Sequence, residues 1–173
     1  MMTFRFAKCA VAVGAIGLAA VLPSSAQAAD ATATATATVA TAITIAKTVD
    51  MSFGDISAGG TAGTVILATD GSRTTTGGTS VLSGSPGAAA SFNVGGEGTN
   101  TYSITLPTAA VPLTGPGPNM DATAFVSLPA TTGALSSGAQ TLLVGATLAV
   151  GTAATQTAGV YTSAAFTVTV NYN

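Results

Sequence analysis

The chain contains no histidine, no tryptophan and a single cysteine, and only 6% of its 173 residues are charged. Each shortage removes a class of function. A serine, threonine or cysteine nucleophile usually takes its base from histidine, and none is present. Zinc is held mainly by His and Cys, so a zinc centre lacks its ligands. Four basic residues against six acidic ones form no patch that could neutralise phosphates, which argues against nucleic acid. Paired carboxylates could hydrolyse glycosides, but Asp50, Asp55 and Asp70 all adjoin turn residues, where Asp commonly bonds its own backbone. The glycine clusters lack the Gly-Lys-Ser/Thr ending of a phosphate loop, and the acids lack EF-hand spacing. A calcium site built from turn aspartates stays open, because it needs only oxygen ligands. No catalytic, cofactor-binding or metal-ligating set is expected, and an enzyme is the weakest reading.

What is present begins with an address. Met1 to Lys8 carries two positive charges, Arg5 and Lys8, and Cys9 to Leu22 is an uncharged, mostly apolar run. Pro23-Ser24-Ser25 breaks that run, and Ala26-Gln27-Ala28 supplies the small residues of a cleavage site. The run falls short of the ~20 apolar residues that span a bilayer. Residues 1–28 therefore read as a signal peptide, with no stable membrane insertion once it is cut. The only cysteine, Cys9, leaves with it. Export without disulfides points to a bacterial periplasm, outer cell surface or extracellular fibre. The remainder keeps Lys47 and Arg73 against Asp30, Asp50, Asp55, Asp70, Glu97 and Asp121, and two minus six gives a net charge of −4. So little charge gives weak repulsion between copies, and association is tolerated.

The rest of the chain is written in period two. Val39, Thr41, Ile43 and Ile45 share a face, as do Phe92 with Val94, Tyr102 with Ile104 and Leu106, and Leu142 with Val144, continued by Leu148 and Val150. Turn signals separate them: Asp70-Gly71, Gly77-Gly78, Ser85-Pro86-Gly87, Gly95 to Gly98 and the twice-prolined run Gly115 to Asn119. Short strands at this spacing predict an all-β, antiparallel sandwich of the immunoglobulin-like kind over residues 43–173. The clearest strand closes the chain. Phe166, Val168, Val170 and Tyr172 point one way, Thr167, Thr169 and Asn171 the other. Ala31 to Thr38 is a pure Ala-Thr alternation, β-like but with little to bury. Residues 29–42 are accordingly an extension, an edge segment or a strand donated to a neighbour. Its threonine row (Thr32, Thr34, Thr36, Thr38) does not make an ice-binding face, since no repeat follows residue 47.

The blocks Ala37 to Gly54, Arg73 to Gly78, Ala90 to Gly95, Thr101 to Pro107, Leu143 to Val150 and Gly159 to Asn173 together resemble the bacterial DUF4402 family, a secreted β-domain without assigned activity. More loosely, the chain is similar to spore-coat-U and other pilin-type subunits assembled by a periplasmic chaperone and an outer-membrane usher. That likeness implies an incomplete sandwich whose last strand is held by a partner. Tyr172 would be its penultimate aromatic and Gly159 the glycine about a dozen residues earlier. Phe166, Val168 and Val170 would be the residues a chaperone strand pairs with. The donor replacing it would present Ala35, Ala37, Val39, Thr41, Ile43 and Ile45. The disulfide common among pilins is missing, and this donor offers mostly alanine.

Two functions follow as expectations. One is a structural subunit of a surface fibre or coat, a homopolymer joined by strand addition. The other is a monomeric binding or adhesion module with a site in the Gly95–Asn100 or Gly115–Asn119 loops, weakened because the loops offer no ring to stack on a sugar.

Overall fold

The computed structural model describes residues 27–173, so the expected signal segment lies, up to residue 26, outside the described residues. Among the described residues there are thirteen β-strands and no helix. The period-two pattern has become an all-β, antiparallel structure.

The spine is β11 (Ala139–Val150), whose residues Leu142, Val144, Ala146, Leu148 and Val150 all point inward and are buried. One edge of this long strand serves two partners. Its first half pairs with β6 (Ala90–Gly95) and its second with β3 (Gly63–Leu67). Gly145 stands at the changeover, where a Cβ would come within 2.2 Å of the Leu67 carbonyl oxygen. Only glycine lets the two neighbours meet there. On the other edge lies β9 (Met120–Leu128), with a bulge at Ala124 (φ 47°) that lets Ala122 and Phe125 both face inward. The sheet is completed by β1 (Thr44–Val49) beside β6, β4 (Arg73–Gly77) beside β3, and β8 (Val111–Thr114) beside β9. A two-residue strand, β12 (Thr162–Ser163), tacks onto β8.

A smaller sheet, β10 (Thr132–Ala134), β7 (Thr101–Thr105) and β13 (Thr169–Tyr172), faces half of the large one. Between them Ala90, Val94, Leu142 and Val144 meet Tyr102, Leu135, Val168 and Val170 in one buried cluster. This is the sandwich proper. The other half of the large sheet has a different cover. Val65, Leu67, Met120, Ala122, Ala146, Leu148 and Val150 form a second cluster capped by Phe53. Above it lie the Met51–Ala58 loop, the small ladder of β2 (Ile56–Ser57) with β5 (Ser80–Val81), and the segment around Tyr161. Arg73 pins this loop: its guanidinium donates to the carbonyls of Phe53 (2.7 Å), Asp55 (3.3 Å) and Leu82 (3.2 Å).

The first strand starts later than the pattern from Val39 predicts. It begins at Thr44, and Val39 is 94% exposed. The physical reason is that alanine and threonine bury too little apolar area to offset the ordering of their backbone.

Candidate functional site

An open cleft of about 1140 Å³ lies over the second cluster. Phe53, Val111, Leu113, Phe125, Tyr161 and Phe166 contribute its apolar walls, and Lys47, Asp50 and Asp55 stand at it as polar groups. Lys47 and Asp50 pair with each other across one exposed turn. The floor is the inward face of β9 and β11, through Met120, Ala122, Leu148 and Val150.

Two chain segments border the cleft without pairing across it. One is the end of β1 running into Met51. The other is Ala164–Phe166, on the way into β13. β1 is an outer strand of the large sheet and β13 an outer strand of the small one. They lie beside each other, yet no ladder joins them.

The closing strand is oriented as its alternation predicts: Val168 and Val170 are buried, Phe166 and Tyr172 half-buried, and Thr167, Thr169 and Asn171 exposed. Only Thr169–Tyr172 is paired, residue for residue with Thr105 to Tyr102. Ala164 to Val168 has no strand partner. Phe166 leans into the cleft against Phe125, with ring centroids 5.3 Å apart and planes tilted by 43°. Gly159 lies in the exposed strap before β12, at φ 152°, where a Cβ would meet the Pro116 ring at 2.6 Å.

The six residues of the expected donor divide into two groups. Ala35, Ala37, Val39 and Thr41 are exposed and belong to no strand. Ile43 and Ile45 instead pack on this domain's own sealed cluster, Ile45 opposite Val94 in the β1–β6 ladder. Of the six, Ile43 and Ile45 are thus half-buried against their own domain, and the other four stand exposed.

The boundary between these groups is held by a clasp. The Glu97 N–H donates to the Tyr172 hydroxyl (2.7 Å), which donates in turn to the Thr41 carbonyl (2.9 Å). The Thr41 hydroxyl and N–H donate to Glu97 Oε2 at 2.7 and 3.2 Å. These bonds hold the Glu97 carboxyl below its ordinary range. Gly96 makes room for the ring, since a Cβ there would sit 2.2 Å from the Tyr172 hydroxyl. The penultimate tyrosine thus fastens the root of the N-terminal extension to the Gly95–Asn100 turn.

The expectation that the loops offer no ring is corrected at one of them. Tyr161 lies over the Gly115–Asn119 loop, where a Cβ on Gly115 would come within 2.4 Å of its ring. Its hydroxyl donates to the Thr157 carbonyl (2.8 Å), and Gln156 Nε2 donates to the Pro118 carbonyl (2.8 Å). Sequence alone hid this, because Tyr161 and Gly115 are far apart in the chain. Asp70 does form the expected turn, accepting from the Ser72 N–H at 2.9 Å, and its carboxyl is held low by Ser72. Among the described residues no three histidine, cysteine or acidic side chains form a group that could hold a metal ion.

A family model described as a domain of unknown function (DUF4402) matches residues 43–172. No curated protein and no solved structure matches the chain.

Proposed function

Since this chain belongs to the DUF4402 family, a name that assigns no activity, we propose from its geometry that it is an exported structural subunit of a bacterial surface fibre or coat. Copies join by β-strand addition. The observation that carries the reading is the apolar cleft bordered by the end of β1, whose outer edge is unpaired, and by Ala164–Phe166, which has no strand partner. A strand laid there would complete backbone bonding on one side and drop alternate side chains into the cleft on the other. The chain carries a suitable donor. Residues 27–42 are exposed and without secondary structure, and they leave the domain from the clasp at Thr41. Until a neighbour's segment arrives, a periplasmic chaperone strand would cover the same edge, and an outer-membrane usher would hand subunits on. No cofactor or catalysis enters this function.

The test is to remove residues 29–37 from the exported chain, which leaves the compact unit Thr38–Asn173 and its clasp intact. The full chain should form fibres under the electron microscope, and the truncated protein should form none. Undiminished fibres would overturn the reading.

A second reading, a monomeric binding module, is favoured by the Tyr161 ring beside the cleft and the Gly115–Asn119 loop. It would prevail if the full chain stays monomeric and binds a glycan array.

A further inference from the structure

The two places where neighbours would grip a subunit lie at opposite ends of one pair of strands. The extension leaves at Thr41, which the Tyr172 hydroxyl holds beside the far end of β13. Ala164–Phe166 borders the cleft with Met51, just past the end of β1, and leads into the near end of β13. β1 and β13 therefore run side by side in opposite directions. Each is bonded along its length to a strand on its other side. β1 pairs with β6 from Thr44–Gly95 to Val49–Ser91, and β13 with β7 from Thr169–Thr105 to Tyr172–Tyr102. Side chains reinforce both ladders. The Thr44 and Thr48 hydroxyls donate to the Gly95 and Ser91 carbonyls (3.3 and 3.0 Å). The Ser103 hydroxyl donates to the Asn171 carbonyl (3.2 Å), and Asn173 Nδ2 donates to the Thr101 hydroxyl (3.1 Å). Ile43 and Ile45 at the first strand and Val168 and Val170 at the second all pack into the sealed cluster.

We propose that these two ladders, with the Thr41–Tyr172–Glu97 clasp, form a tension-resisting element that passes pull along the fibre from one neighbour to the next. The proposal rests on the strand-addition reading, in which one neighbour holds the extension and another's strand occupies the cleft. Pull between those two grips draws β1 outward from Thr41 and β13 the opposite way from Ala164. Both strands are then loaded along their own axes. Antiparallel backbone bonds lie perpendicular to the strands, so a lengthwise pull strains every bond of a ladder together. Neither strand slides until its whole ladder yields. Ile43, Ile45, Val168 and Val170 must also be dragged from a close-packed cluster at the same moment. A pull across the strands would instead open each ladder one bond at a time. The grips thus lie where the domain is strongest, on the half of the core that a second sheet has closed.

The test pulls single exported subunits by force spectroscopy along two directions. Ala37→Cys with Ala164→Cys, both at exposed positions, gives handles that mimic the two grips. Ala37→Cys with a cysteine appended after Asn173 puts both handles at the clasp end, so the same strands peel from one side. Forced unfolding reads the unfolding barrier, and the first geometry should rupture at roughly twice the force of the second or more. Thr44→Val with Thr48→Val keeps β-branched, strand-forming residues and removes both hydroxyl bonds to β6. It should lower the lengthwise force while urea unfolding barely changes. Equal forces in the two directions would overturn the proposal, as would a lengthwise force indifferent to the double substitution. The measurement needs no fibre, so the two readings can fail apart. Equal forces beside fibres lost on removal of residues 29–37 would overturn this proposal alone. Fibres that survive that removal would overturn strand addition and this proposal with it.

Discussion

One strand, β11, runs through two unlike halves of this molecule. Its first half, with Leu142 and Val144, looks onto the three-stranded sheet and is shut away from solvent. Its second half, with Leu148 and Val150, is no less apolar but looks into an open cleft. The spine is the same; the cover differs. Over the first half lies a hydrogen-bonded sheet whose side chains interlock. Over the second lie loops and a strap held to β8 by two residue pairs. A sheet face is closed only when another regular layer supplies both backbone pairing and apolar side chains. Where loops take the place of that layer, an open cleft remains over the core.

The comparison can be broken most severely at the spine and its cover. Leu142→Ala, in the sealed half, should cost about 3 kcal/mol, the usual range for a buried leucine with no room to collapse. Leu113→Ala, on the half-exposed wall of the cleft, should cost less than about 1 kcal/mol. Urea unfolding of the two variants side by side measures the difference, and equal losses would mean that the cleft is closed in solution.

A smaller effect probes the polar tie in the sealed half. The fully buried Tyr102 donates to Gln140 Oε1 at 2.6 Å, and the same oxygen takes the Ala134 N–H at 3.0 Å. Burial also pushes the Tyr102 phenol up, so it stays a protonated donor over the working pH range. Tyr102→Phe should lower stability by about 1 kcal/mol by leaving Gln140 short of a partner. A thermal melt reads this directly.

The smallest effect belongs to the clasp. Glu97 has a folded-state carboxyl held low by Thr41, so its contribution is present above the ordinary carboxylate range and fades as the pH falls through the lowered value. Glu97→Gln should flatten that acid limb while leaving neutral-pH stability nearly unchanged, because the group is exposed. It should also quicken proteolysis of the N-terminal extension at neutral pH. A full acid limb in the variant would place the titrating group elsewhere.

The fold class was open to reading from the residues alone. Alternation marks which side of a strand is buried, and Phe166 to Tyr172 obey it in the folded domain. The Gly115–Asn119 run, with two prolines, is the loop it had to be between β8 and β9. The candidate site was only partly legible. Period two distinguishes faces but names no neighbours, so nothing in the chain showed that Ile43 and Ile45 stay home while Val39 is left bare. Nor could it place Tyr161 over Gly115, or Tyr172 against Thr41 across 131 positions of sequence.

The amino-acid order by itself determined an antiparallel β-structure, the inward face of each strand, the punctuation of its turns and the scarcity of groups able to do chemistry. These are local matters, decided by steric preference and by the hydrophobicity of alternate residues. Only the tertiary structure decided which edges would meet. It closed one half of the core with a second sheet, left an open cleft over the other, and set Val49, Leu128 and Ile66 on the solvent side of the large sheet. Pairing between distant segments depends on how much surface each alternative buries across the whole domain, and no stretch of chain carries that comparison within itself.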